Sequence, residues 1–273
     1  MSETRPLICP YMAKAFGLSV PIGALAGLIG LGGGEFRLPV LIRTIGFGAK
    51  SAVPLNLCIS FATLAAALLT RSHAVAPVAV LGHLPEIVAL AVGGLISAVF
   101  GTALLLRLSD RRLLGLIAVL LIVLGALLIA EAFIPGEARS LVGEDAAARI
   151  ATGFAIGLGV GVVSSLLGVA GGELLIPALV LVFGLDIKIA GTASILISLV
   201  IVSAGLWRYG RAGAIPTNRG AWRIGSTMAA GSLVGAALGG IAVAFAPTLA
   251  LKLVLGGVLI AAGAKSFGKA AQR

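Results

Sequence analysis

From Leu113 to Ala130 the chain runs without a single charged side chain, and from Leu84 to Leu106 only Glu86 interrupts an apolar stretch. Runs of this kind, with Leu196 to Leu206 as a third, match or approach the roughly 20 helical residues that cross a ~30 Å hydrocarbon core. They exclude most soluble folds, because a chain that is 59% hydrophobic and 11% charged has too few polar groups to cover a water-facing surface. The mean hydropathy of +1.16 says the same. We therefore expect an all-α, polytopic membrane protein. Met1 to Lys14 carries Glu3, Arg5, Pro10 and Lys14 and ends in no small-residue cleavage pattern, so no removed signal peptide is expected. The net charge of +10 does not point to nucleic acid, since the basic residues sit singly or in short clusters between the apolar spans, where orientation rules put them. Cys9 and Cys58 form neither a disulfide framework nor a metal motif.

The chain also repeats itself. A shift of 138 positions places Gly23, Gly30, Gly33, Gly34, Glu35, Pro39, Gly46, Lys50, Ala52 and Ser60 on Gly161, Gly168, Gly171, Gly172, Glu173, Pro177, Gly184, Lys188, Ala190 and Ser198, with no gap. Farther on, Gly93, Gly101, Leu121, Ile122, Gly125 and Ala126 fall on Gly231, Gly239, Leu259, Ile260, Gly263 and Ala264. The organisation expected is a first membrane repeat over 1–134, a polar linker over 135–149 containing Glu137, Glu144 and Asp145, and a second repeat over 150–273. Each repeat divides into five segments, a to e: in the first, residues 15–31, 36–46, 51–70, 84–106 and 113–134. Segment b is too short to span, since about 11 residues rise only ~16 Å. Segments a and b then make a broken or re-entrant hairpin, and c, d and e make three crossings.

Charge decides the sense of the duplication. The connection between d and e in the first repeat holds Arg107, Arg111 and Arg112, and that between c and d only Arg71; in the second repeat the c-to-d connection holds Arg208, Arg211, Arg219 and Arg223. With both termini cytoplasmic, 14 of the 20 Lys and Arg lie inside, 5 outside and Arg37 within the membrane. The bias changes sides between repeats, so the duplication is expected to be inverted, an arrangement found with broken helices in transporters. A bacterial inner membrane is the expected location.

The two breaks carry the functional argument. Gly30-Leu-Gly-Gly-Gly-Glu35 and Gly168-Val-Ala-Gly-Gly-Glu173 lie between apolar segments, and glycine costs helix about 1 kcal/mol per residue relative to alanine. Freed main-chain groups survive in a bilayer only when buried in protein or facing a watery cavity. Segment b begins at the break, so its free N–H groups and positive dipole end favour an anion. The alternative is that the glycines only permit tight helix packing, as Gly23-x-x-x-Gly27 does.

The duplicated pattern, Gly30 to Pro39 and, with Ala170 replacing one glycine, Gly168 to Pro177, resembles that of the TauE/SafE sulfite exporter family, also called the toluene sulfonate uptake permease family. The resemblance spans the membrane part and implies a secondary transporter, exporter or importer, of sulfite, organosulfonates or related sulfur anions. Composition and spacing alone say nothing of sulfur.

The expected substrate-binding set is Gly32, Gly33, Gly34, Glu35, Arg37, Asn56 and Ser60 from the first repeat, with Ala170, Gly171, Gly172, Glu173, Thr192, Ser194 and Ser198 from the second. Arg37, near the midplane, needs a partner, because a cation there costs about 2.5 to 3.5 kcal/mol on insertion scales. That partner is a bound sulfonate or carboxylate, or else Glu35 or Glu173 in a structural ion pair; a shallower segment b would instead let Arg37 snorkel to the surface. Glu35 and Glu173 either cap the first turn of segment b or take up a proton and couple transport to its gradient. Asn56, Ser60, Thr63, Thr192, Ser194 and Ser198 offer neutral donors, or else bond between helices. His73 and His83 read as loop residues and not as metal ligands; Trp207, Tyr209 and Trp222 read as interface anchors.

No catalytic constellation is expected, nor a metal or other cofactor. The partners expected are a small anion and the lipid bilayer, and no nucleic acid; homo-oligomerisation is left open. An anion channel using the same half-helices, or an accessory membrane subunit, is the competing function.

Overall fold

A computed structural model describes residues 5–73, 75–100, 119, 122–130, 132–133, 140–143, 145–167 and 169–271. Arg107, Arg111, Arg112, Glu137, Glu144, Gly168 and much of the first segment e lie outside them. All regular structure among the described residues is helical. The first repeat contains α1 (Arg5–Ile29), α2 (Gly34–Pro39), α3 (Ala49–Arg71), α4 (Pro77–Leu81) and α5 (Leu84–Phe100), followed by a helical stretch over 122–130. The second contains α6 (Ala146–Leu167), α7 (Gly172–Pro177), α8 (Ile187–Arg211), α9 (Arg219–Ala242) and α10 (Thr248–Ala271). Five helices among the described residues are long and apolar enough to cross a bilayer. Large apolar side chains such as Leu238, Ile241 and Phe245 remain exposed on the periphery, as a lipid-facing surface requires. The chain is a multi-pass α-helical membrane protein.

The duplication in the sequence reappears in the backbone. α2 and α7 are separated by the same 138 positions at both ends, and each runs into a π-helical turn, Val40–Thr44 and Ala178–Val182. The cause is Pro39 and its counterpart Pro177, which lack an N–H and crowd the carbonyl four residues earlier. The ladder slips by one residue, so that Ile45 N–H donates to the Val40 carbonyl at 3.1 Å and Phe183 N–H to that of Ala178 at 3.4 Å. Segment b is therefore a short α-helix continued by a π turn, ending within two residues of the expected limit.

The two repeats embrace each other. Gly231, Gly235 and Gly239 of α9 press on Phe16, Val20 and Ala24 of α1, so these two helices run parallel; a Cβ at Gly235 would lie 2.0 Å from the Val20 carbonyl oxygen. The partner seam is the same with the repeats exchanged: Gly157 and Gly161 of α6 press on Leu90 and Gly94 of α5. Small residues let the backbones meet where lipid offers no hydrophobic drive. α3 and α8, repeat partners, pack against each other in opposite directions, with Leu57 beside Gly205 at one end and Arg71 bonded to Thr192 at the other.

Several expectations about the connections need correction. Arg71 is not a loop cation: it is the last residue of α3 and fully buried, which removes one residue from the outside count. Arg208 and Arg211 belong to the last turn of α8, and Arg219 and Arg223 to α9. The stretch expected as linker up to 149 contributes its last four residues to α6, where Arg149 pairs with Glu86 of α5 at 2.6 Å. The c-to-d connection of the first repeat also contains α4, whose first residue, Pro77, suits a helix start.

Candidate functional site

At the end of α1 the chain leaves the helix at Gly30, crosses through Leu31 and Gly32, and re-enters it after Gly33, whose φ of +67° is one that only glycine adopts without strain. The second break repeats the manoeuvre, with Gly171 at φ +79°. The two breaks come together in the interior. A Cβ at Gly32 would lie 2.3 Å from that of Ala170, one at Gly34 would touch Val169, and one at Gly172 would touch Leu31. Gly32, Gly33, Gly34, Ala170, Gly171 and Gly172 are all buried, and in this conformation the tips are closed upon each other. The wider clefts lie elsewhere, as between α5 and α6 beside Val88, Val92 and Phe154.

The expected polar residues of α3 and α8 do line the breaks. Asn56 Nδ2 donates to the Gly34 carbonyl at 3.0 Å, and its repeat partner Ser194 donates through Oγ to the Gly30 carbonyl of the other repeat at 3.3 Å. Ser60 Oγ stands against Gly34 and Ser194 Oγ against Gly172. The Ser194 bond satisfies a carbonyl freed where α1 ends, while the Asn56 bond ties α3 to a carbonyl in the first turn of α2. Thr192 is drawn into a different role, receiving a bond from Arg71 Nε at 3.1 Å. Ser198 Oγ is buried and without a partner.

Arg37 is the strongest feature of the site. It is completely buried, and among the described residues no carboxylate lies within ion-pair distance of it. Its guanidinium donates instead to three hydroxyls: Ser60 at 3.1 Å, Thr63 at 3.2 Å and Ser232 of α9 at 3.1 Å, leaving Nε without a partner. Of the alternatives posed by the sequence, a structural ion pair with Glu35 or Glu173 and snorkelling to the surface are both absent here. Ser232 in turn lies 3.5 Å from the Ser19 carbonyl of α1, so four helices converge on this cation.

Glu35 and Glu173 enter α2 and α7 one residue after the glycines and are close enough to feel each other's charge. Glu35 also interacts with Arg37 and with its own main-chain N–H. Each carboxylate keeps one buried oxygen, Oε1, without a hydrogen-bond partner. The centre therefore holds one cation, two carboxylates and a ring of hydroxyls, with no group of three or more metal-binding side chains among the described residues.

Two groups escaped the sequence reading. Ser232 and Ser19 lie on helices that no local spacing ties to the breaks, and only the long-range seam between α1 and α9 delivers them. Arg71 was misplaced, although one signal pointed to it: the end of α1 frees carbonyls inside the membrane, and something must donate to them.

No curated protein and no solved structure matches the chain significantly. A family model, Sulfite exporter TauE/SafE, matches residues 153–273, a span that includes the second break, α8, α9 and α10. The paired glycine breaks and the multi-pass helical fold stand beside this match, in which the second half of the chain is similar to the TauE/SafE sulfite exporter family.

Proposed function

We propose that this chain is a secondary transporter of small sulfur-containing anions, sulfite or organosulfonates, held between the two breaks with Arg37 as the principal charge. The observation that carries the reading is the buried guanidinium bonded to hydroxyls, with no carboxylate among the described residues within ion-pair distance and Glu35 acting on it only from farther away. A buried cation held this way is costly unless an anion shares the site for part of the cycle, and the planar guanidinium suits an oxyanion of sulfur. Asn56, Ser60 and Ser194 add neutral donors, and the main-chain amides at the start of α2 and α7 add their dipoles.

The repeats are inverted in this reading. Support comes from the opposite directions of the partner helices α3 and α8, from the exchange of seams between α1–α9 and α5–α6, and from the basic residues clustered at the α8–α9 connection. Both termini and that connection then face the cytoplasm of a bacterial inner membrane. Since Gly32 and Ala170 are in contact, the anion enters only when the tips part, which is the motion of alternating access. One of Glu35 and Glu173 takes up a proton in the same step and ties the anion to the proton gradient.

Purified protein in liposomes tests this. Accumulation of labelled sulfite or sulfoacetate against its gradient, driven by an imposed pH difference and lost in Arg37→Leu, is the expected result. Conductive flux that only follows the anion gradient makes the protein a channel, and no flux without another polypeptide makes it an accessory subunit.

A further inference from the structure

Arg71 closes the deep end of the first hairpin. Its Nη1 donates to the carbonyls of Gly27 and Leu28, the last turn of α1, at 2.9 and 2.8 Å. Its Nη2 donates to the Lys188 carbonyl at the start of α8 at 2.8 Å, and its Nε to Thr192 at 3.1 Å. One side chain at the end of α3 thus binds α1 from its own repeat and α8 from the other. Gly191 completes the closure, because a Cβ there would lie 2.3 Å from the Ile29 carbonyl oxygen and 2.7 Å from Arg71 Nη2. No gap separates α1, α3 and α8 at this end.

The opposite end lacks both parts of the seal. Counting back or forward by the repeat, Val53 stands where Gly191 does and Tyr209 where Arg71 does. The branched side chain of Val53 forbids the close approach that Gly191 permits, and a phenol cannot serve four acceptors at once. In place of that seal there is a narrow crevice of about 10 Å³, room for no more than one water, lined by Leu57, Ala98, Ser164, Gly205, Arg208 and Tyr209, where Arg208 Nη1 donates to the Ala98 carbonyl at 3.0 Å. Its inner wall reaches the second break: Ser164 Oγ donates to the Val169 carbonyl, and Gly171 lies against the Ser164 Cβ. Its outer rim carries the guanidinium of Arg208, near the facing ends of α8 and α9 that carry Arg211, Arg219 and Arg223.

We infer that Arg71 is the latch of an access gate, holding the route to the breaks shut at the α3 C-terminal end while the route at the other end follows the crevice from Arg208 to Ser164. The inference rests on the transporter reading above, but its test needs no substrate. Opening the latched end requires the loss of all four Arg71 bonds together, whereas opening the other end requires Arg208 to leave the Ala98 carbonyl of α5 and Tyr209 to move with it.

The test is thiol labelling in oriented vesicles, in a background where Cys9 and Cys58 are replaced by alanine. Two reporters are used singly: Ala190→Cys behind the latch and Gly205→Cys in the crevice. A membrane-impermeant maleimide should label Gly205→Cys from the side of the basic connection. It should leave Ala190→Cys unlabelled from the opposite side until Arg71→Met is added, which should raise labelling at least about tenfold. Thr192→Val removes a single bond and should give a smaller rise in protein whose melting temperature is near that of the parent, which keeps the test decisive if Arg71→Met fails to fold. Ala190→Cys labelling that is unchanged in folded Arg71→Met or in Thr192→Val overturns the latch. Protection of Gly205→Cys overturns the route. Loss of sulfite transport with the labelling pattern intact counts against the substrate and not against the gate.

Discussion

The two breaks share one backbone and differ in what surrounds it. Around the first, Arg37 is enclosed by Ser60, Thr63 and Ser232, with Ser19 nearby; at the same repeat positions the second has Leu175, Ser198, Ile201, Gly94 and Gly157. Leu175 and Ile201 belong to the large apolar core, and Gly94 is small because Ile201 fills the space beside it. Duplication preserved the glycines, the acid and the proline, which set the main-chain path, while the side-chain shell became polar in one copy and apolar in the other. A pocket with symmetric walls needs both shells alike. This molecule instead has a cation in one shell and apolar side chains at the matching positions of the other, and on the proposed reading the first repeat carries the charge that holds the anion.

The most forceful way to break this comparison is to make the first shell resemble the second. Arg37→Leu should reduce transport by about 100-fold or more, because a hydrogen bond to a charged group contributes roughly 1.5–3 kcal/mol and several would be lost together. Arg37→Lys should keep part of the activity, since the charge remains without the planar fork. Uptake into liposomes measures both, and near-normal rates in Arg37→Leu would dissolve the distinction between the walls.

The shared backbone predicts equal effects on stability. Gly33→Ala and Gly171→Ala should each lower stability by about 2 kcal/mol, from the positive φ and from contacts a Cβ would make 2.9 Å from Ile22 and 2.7 Å from Val160. Thermal melting in detergent checks that the two losses agree within about 1 kcal/mol.

The carboxylates sharpen the comparison further. Whichever of Glu35→Gln and Glu173→Gln flattens the pH dependence of transport identifies the proton carrier; pH profiles unchanged in both folded variants would leave the two residues as caps only. The smallest effect concerns the shell serines. Ser60→Ala removes a bond to Arg37 and should cost about 1 kcal/mol, whereas Ser198→Ala removes an unpartnered hydroxyl and should be neutral or slightly stabilising.

Much of this was legible in the residues because it is local or periodic. The glycine runs and the prolines declare where helices break, and the 138-residue shift doubles each signal. Asn56 and Ser60 were legible because a spacing of four puts them on one face of α3, and Ser194 because it is the repeat partner of Asn56. What was not legible is pairing at long range. Nothing near Ser232 announces that its helix will lie along α1, and nothing near Arg71 announces the carbonyls of Gly27 and Leu28. Thr192 was expected to meet substrate for the same reason: its neighbour Arg71 is 121 positions away.

The seams between α1 and α9 and between α5 and α6 also constrain how the protein is made. α1 leaves the ribosome some 200 residues before the helix that covers its glycine face, and α5 waits a shorter time for α6. During synthesis the first repeat sits in the membrane as an unfinished half, its α1 face covered only by lipid or by an insertion chaperone. Final assembly must therefore follow translation of α9, and a nascent chain cut short before Arg219 leaves the α1 face uncovered although its α5–α6 seam is already complete.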